Sequence, residues 1–254
     1  MKASLDELMV FSAARLIKDY DVVMVGTGIP LVAAYLAKRT HAPNSVLVFE
    51  SGALDPIPEY IAVGPGDYPL ISSAVKATSL FDSLLLNQRG KIDLGFLGGA
   101  EIDMYGNINS TVMGDQKKPD VRLPGSGGAN DIASCAKKVV LIAKHDKKKL
   151  PAKVSYLTSP GYLGGPGERE QTGLPGGGPA MLITNLGLFG FDEETKRMKV
   201  ISLHPGVTPQ VTAENTGFEI LGLDADDIAE TELPDETTLE ILRKIDPDGI
   251  VLKK

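Results

Sequence analysis

The chain has 254 residues, 43% of them hydrophobic, and a formal net charge of -7. That is enough chain to bury one large α/β core, and too acidic a balance for the basic face that nucleic acid requires. Its one cysteine, Cys135, rules out an internal disulfide and reads as a small buried hydrophobe. Without a basic leader or an apolar stretch of membrane-spanning length, a cytoplasmic protein with no membrane partner is expected.

Ser4-Leu5-Asp6-Glu7 is a capping box, and Leu5, Leu8, Met9, Leu16 and Ile17 stripe the helix it opens. Val22 to Val25 has strand length and stops at Gly26-Thr27-Gly28; Pro30 then opens a helix carrying Leu31, Ala34, Tyr35 and Leu36. A second apolar run, Val46 to Phe49, ends at Glu50. Strand, glycine turn, helix and strand make a crossover unit, so the two strands are expected to be parallel and buried. Both loops leave strand C-terminal ends, where open α/β sheets place their ligands.

Gly52 to Pro69, rich in Gly and Pro, reads as a long loop, followed by helical patterns over 70–77 and 79–88 and a strand over Ile92 to Leu97. From Ala100 to Asn130 the composition turns to Gly, Asn, Asp and Ser, with short extended pieces such as Ile108 to Met113. Val139 to Ala143 and Val154 to Leu157 read as strands around the basic run Lys144 to Lys149, a solvated connection with a possible second use in holding phosphates. Met181 to Thr184, Leu186 to Phe191 and Met198 to Leu203 form a meander. A last helix, capped at Asp235, runs through Leu239, Ile241, Leu242 and Ile245. No repeat or composition break divides the chain, so residues 1–254 are expected to be a single domain.

The inventory of reactive groups is short. His41, His145 and His204 lack metal-ligand spacing with one another or with Cys135, so no metal is expected. G-x-S-x-G is absent. The pair Gly26-x-Gly28 with Glu50 at the end of the next strand imitates a dinucleotide fingerprint. The third glycine of that fingerprint is replaced by Leu31, and Pro30 sits inside it. What remains is a carboxylate between glycine-rich turns. A carboxylate can attack a thioester without a general base, and backbone amides of a glycine turn can stabilise the oxyanion that forms. Taken alone, an acid at a strand end more often caps a turn.

The blocks V-G-T-G-I-P-L (25–31), A-K-R-T-H-A-P-N (37–44), E-S-G (50–52), G-G-A-E-I-D-M-Y-G-N-I-N-S-T (98–111), G-S-G-G-A-N (125–130) and T-S-P-G-Y-L-G-G-P-G-E-R-E (158–170) resemble, in order, the β subunit of the class I CoA-transferases, most closely the glutaconate type. The resemblance implies an α/β fold of the CoA-transferase/NagB-like kind: an open, mostly parallel sheet with helices on both faces and long glycine-rich loops at the strand ends. It implies CoA transfer between an acyl-CoA and a carboxylic acid by ping-pong chemistry through a glutamyl-CoA thioester. Coenzyme A would be substrate, with no permanently bound cofactor. The alternative on the same scaffold is a CoA-ester hydrolase or decarboxylase.

Carried over by motif, the catalytic residue is Glu50, and the oxyanion and CoA-binding residues are Gly26, Thr27, Gly28, Asn109, Gly127, Gly128 and Ala129. Pro160, Gly161 and Arg169 match a further loop near the substrate, although Arg169 between Glu168 and Glu170 also reads as an ion-paired loop residue. Asp103 and Glu101 read as residues of the Asp-Met-Tyr-Gly turn. A homologous α subunit is implied as partner, in an α2β2 or higher hetero-oligomer.

Overall fold

The structure, a computed structural model, describes residues 3–58, 60–64 and 66–252. The chain divides into two compact units, one of Met1–Phe96 with Glu232–Lys254 and one of Leu97–Thr231.

The first unit opens with helix α1 (Leu5–Ala14). Its capping box is formed: Ser4 Oγ accepts from Glu7 N at 3.2 Å, and the Glu7 carboxylate accepts from Ser4 N at 2.8 Å. The helix ends two residues short of Leu16. Next come β1 (Val22–Met24), α2 (Ile29–Arg39), β2 (Val46–Val48), β3 (Ala53–Leu54), α3 (Tyr68–Ser72), β4 (Lys76–Ala77), α4 (Leu80–Gln88) and β5 (Leu94–Leu97). β1 lies between β2 and β5 and runs parallel to both, with Met24 opposite Val48 and Gly95, as a crossover through a helix requires.

Two expectations fail here. The segment after Glu50 is not a loop from its start: it doubles back as β3, antiparallel to β2 with Val48 opposite Leu54. Residues 76–77, read as the end of a helix, extend to pair with β3 as β4, Ala77 opposite Ala53. Pro69 lies in the first turn of α3, and Glu59 and Pro65 of the expected loop lie outside the described residues.

The second unit begins with two short hairpins, β6 (Glu101–Ile102) with β7 (Ile108–Asn109) and β8 (Val112–Gly114) with β9 (Pro119–Arg122). Helix α5 (Ala129–Cys135), which composition hid, leads to β10 (Lys138–Ile142) and, after the short α6 (Glu168–Gln171), to β11 (Pro179–Ile183), β12 (Gly187–Phe191) and β13 (Met198–Leu203). β10 and β11 are parallel, while β11, β12 and β13 form the expected antiparallel meander. α7 (Pro209–Glu214) and β14 (Ala229–Glu230), parallel to β13, close the unit. The expected strand over 154–157 does not form. Its backbone is taken up by buried side chains instead: Ser155 N donates to Glu101 and Val154 N to Asp103. The chain ends in the first unit with α8 (Glu236–Ile245), capped by Asp235 through Thr238 N at 2.7 Å.

Each unit has its own core. α2 packs on α1 and α8, and every residue from Leu31 to Ala37 is buried, as expected of a helix apolar on all sides. Leu47, Val48 and Phe49 are buried too, each such side chain stabilising by about 2 kcal/mol. This fixes β2 and therefore the position of Glu50. In the second unit Ile102, Ile108, Leu141, Ile183 and Phe189 are fully buried.

Candidate active site

The predicted residues fall into two groups, one in each unit. In the first, the register Met24 to Val48 brings the Gly26 turn and Glu50 to the same end of neighbouring parallel strands, and Val25 N extends the pairing to Val48 O at 2.9 Å. Gly28, with φ 79°, is the N-cap of the 11-residue α2 and supplies no side-chain cap. No acidic residue lies in the first turn, while Lys38 and Arg39 lie in the last. The positive end of the helix dipole thus has no acidic side chain of its own first turn to offset it. The amides of Gly26, Thr27 and Gly28 are not taken up by the hydrogen bonds that hold the turn.

Glu50 is half-buried at the tip of the β2–β3 hairpin. Phe49 N donates to Ala53 O and Gly52 N to Phe49 O, both at 3.0 Å, so Glu50 and Ser51 are the central residues of a tight turn. Gly52 has φ 103°, and a Cβ there would meet Thr78 O, so only glycine fits. Asp55 locks the base of the hairpin: its amide donates to Leu47 O at 2.6 Å, and its carboxylate pairs with Lys38 Nζ at 2.7 Å.

In the second group Asn109 is fully buried and its side chain is spent inside the protein. Nδ2 donates to Glu101 at 2.7 Å and to Val112 O at 2.6 Å, while Oδ1 accepts from the amides of Thr111 and Val112. It shapes the 109–112 turn and has no side-chain group left to face a ligand. Glu101, read as part of the next turn, belongs to Asn109 and Ser155. Asp103 does serve that turn, accepting from the amides of Tyr105 and Asn107, and burial raises its pKa. Ser110 then carries the connection to the glycine loop, its Oγ donating to Gly125 O at 2.9 Å and its carbonyl accepting from Gly125 N at 2.8 Å. Gly127 has φ 49° and Gly128 caps α5. The amide of Ala129 donates to Ser126 O at 2.9 Å and closes the turn.

Arg169 is not the ion-paired loop residue that its acidic neighbours suggest. It is 2% exposed, and its guanidinium donates to the carbonyls of Gly176, Pro160, Gly161, Ala133 and Ser134. It neither pairs with its glutamate neighbours nor presents a donor outward. Instead it ties the Pro160-Gly161 loop to the C-terminal end of α5, where a cation is favoured. Asn107, which sequence reasoning passed over, holds the same loop by accepting from Gly161 N and Leu163 N and donating to Leu163 O. Beside it lies a cavity of about 770 Å³ lined by Asp103, Asn107, Tyr156, Leu163 and Glu168 among others, a volume usual for small-molecule sites.

The basic run is a surface connection with Lys144, Lys147 and Lys148 exposed. His145 within it is buried between Thr184 and Thr216. Cys135 is half-buried, with its thiol pKa raised by burial. Among the described residues no cluster of metal-ligating side chains occurs, and no helix is long and apolar enough to cross a membrane.

Comparison with known proteins places this arrangement. A family model described as coenzyme A transferase matches residues 8–215. The chain belongs to the coenzyme A transferase family, among its class I β subunits. It is 42% identical over 246 residues to the β subunit of 3-oxoadipate CoA-transferase from Pseudomonas knackmussii, covering 96% of this chain and 93% of that one. To the β subunit of glutaconate CoA-transferase from Acidaminococcus fermentans it is 39% identical over 249 residues, covering 95% and 92%. The crystal structure of glutaconate CoA-transferase from Acidaminococcus fermentans matches with a TM-score of 0.92 at 36% identity, over 100% of this chain and 98% of that one.

Proposed function

We propose that residues 1–254 act as one β-subunit domain of a cytoplasmic CoA-transferase that moves CoA from an acyl-CoA to a carboxylic acid, with Glu50 as nucleophile. The observation that carries this reading is the placement of Glu50 on a rigid hairpin tip, level with the Gly26–Gly28 turn and the uncapped start of α2. A Glu50 oxygen attacks the thioester carbonyl and expels the CoA thiolate, leaving a mixed anhydride. The thiolate then attacks the Glu50 carbonyl, releasing the first acid and leaving a glutamyl-CoA thioester. The acceptor carboxylate reverses both steps, so the kinetics are ping-pong.

Each tetrahedral oxyanion needs amide donors, worth roughly 3 kcal/mol apiece when well placed. The amides of Gly26, Thr27, Gly28 and Gly127 are assigned that role, with Gly128 shaping the same loop as the N-cap of α5. Asn109, Ala129, Pro160, Gly161 and Arg169 act one step back, by fixing the loops. The relatives named for 3-oxoadipate and glutaconate both act on dicarboxylic acids, which supports a dicarboxylate as one substrate.

The homologous α subunit completes the enzyme. Within 57–81 the side chains of Ile57, Tyr60, Val63, Tyr68, Val75, Leu80 and Phe81 are exposed, Tyr68 by 79% and Phe81 by 70%, a density of apolar surface that suits a subunit contact. The reading is tested by co-expressing the chain with its α partner and following CoA from donor to acceptor. Acyl-CoA formation that requires the acceptor acid supports transfer; free acid released at full rate without an acceptor indicates the hydrolase alternative.

A further inference from the structure

The hairpin that carries Glu50 is held from one side by the segment 77–83. Thr78 N donates to Gly52 O at 2.9 Å, and Ala77 pairs with Ala53. A further contact is made by Ser83, in the first turns of α4. Its side chain is fully buried, and its Oγ donates to the Glu50 carbonyl at 2.8 Å, with the Leu80 carbonyl of its own helix at 2.9 Å as second acceptor. A helical serine ordinarily bonds only back along its helix. Here the same hydroxyl also reaches the backbone of the proposed nucleophile.

We propose that Ser83 is a positioning residue: by holding the carbonyl of the 50–51 peptide it fixes the direction in which the Glu50 side chain leaves the turn. The inference rests on the reading of Glu50 as nucleophile. A displacement of about 1 Å in a reacting group is enough to cost on the order of 100-fold in rate, and a turn of two central residues does little by itself to resist rotation of that peptide plane.

The test is a single-turnover measurement of enzyme-CoA thioester formation in the assembled enzyme, with Ser83→Ala, Ser83→Cys and Ser79→Ala. Ser79 caps the same helix, its hydroxyl bonded to the amide and the carboxylate of Asp82, so its loss weakens α4 while leaving the Ser83 hydroxyl in place. Ser83→Cys keeps the volume while giving up the strong donor, and stands in for Ser83→Ala if that variant does not assemble. The expected result is a 10- to 100-fold slower thioester formation for the Ser83 variants with acyl-CoA affinity within about twofold, and a rate near wild type for Ser79→Ala. A Ser83 variant that forms thioester as fast as Ser79→Ala overturns the proposal. Glu50→Gln run alongside separates the two ideas: if it still forms thioester, the reading of Glu50 fails, whereas an inactive Glu50→Gln beside a fast Ser83→Ala removes Ser83 alone.

Discussion

Asn109 Nδ2 donates to the Glu101 carboxylate at 2.7 Å, and both side chains are buried. Replacing Asn109 by Ala would take one donor from a buried carboxylate and leave the amides of Thr111 and Val112 without their acceptor. The expected cost is about 2 to 4 kcal/mol, read as a lower urea midpoint. Asn109→Asp would set a second carboxyl against Glu101, raising the pKa of the introduced acid in the folded state. Its stability should therefore fall as pH rises through the carboxylate range. An unchanged midpoint in both variants would show that the pair does not hold the turn.

Arg169 offers a contrast between position and occupation. Lysine has fewer donors and no planar fork, so Arg169→Lys should lose about 2 kcal/mol or more by leaving buried carbonyls unpaired. The preference between dicarboxylate and monocarboxylate acceptors, measured as a ratio of kcat/KM, should not move. A change in that ratio without loss of stability would place the Arg169 guanidinium against the substrate instead.

These residues show how far the sequence could be read. Strand, helix and crossover patterns around Val22–Glu50 were legible because burial on all sides leaves unbroken apolar runs. The meander over 179–203 and the caps at Ser4 and Asp235 were legible from local chemistry. Hidden were features decided by distant partners. β3 and β4 are too short to show alternation. α5 lies in a stretch whose Gly, Asn and Ser content signals turns. Arg169, flanked by acids, gave no sign that its partners would be carbonyls 7 to 36 residues away. Asn107 had a usable signal, since Asp103 and Asn107 bracket the tight turn at Gly106, where φ is 70°.

Two glycines of the first unit with positive φ, Gly52 and Gly90, should respond differently to alanine. Gly90 has φ 67° with nothing near its missing Cβ, so Gly90→Ala should cost about 1 kcal/mol of left-handed strain. Gly52→Ala adds collision with Thr78 O to the same strain, and should cost clearly more and lower kcat by deforming the Glu50 turn. Equal melting temperatures and equal activity for the two variants would contradict the packing described.

Burial lowers the pKa of His145 to about 4 from 6.5 and lowers that of His204 as well. The unfolded chain then binds more protons than the folded one between pH 6.5 and 4, so stability should be greatest above pH 6.5 and fall as the solution is acidified through that window. For His145 the change is on the order of 3 kcal/mol. Unfolding free energies measured across the window should fall less steeply in His145→Gln than in wild type. An identical slope would place the acid sensitivity elsewhere.

The most direct measurement is the intact mass of this chain after the assembled enzyme has met an acyl-CoA in the absence of acceptor. A gain of one CoA moiety is expected, mapping to the peptide that contains Glu50, removed by borohydride together with activity, and missing in Glu50→Gln. A wild-type enzyme that turns over with no such adduct, or a Glu50→Gln enzyme that transfers CoA at the normal rate, would contradict the assignment of Glu50 as nucleophile.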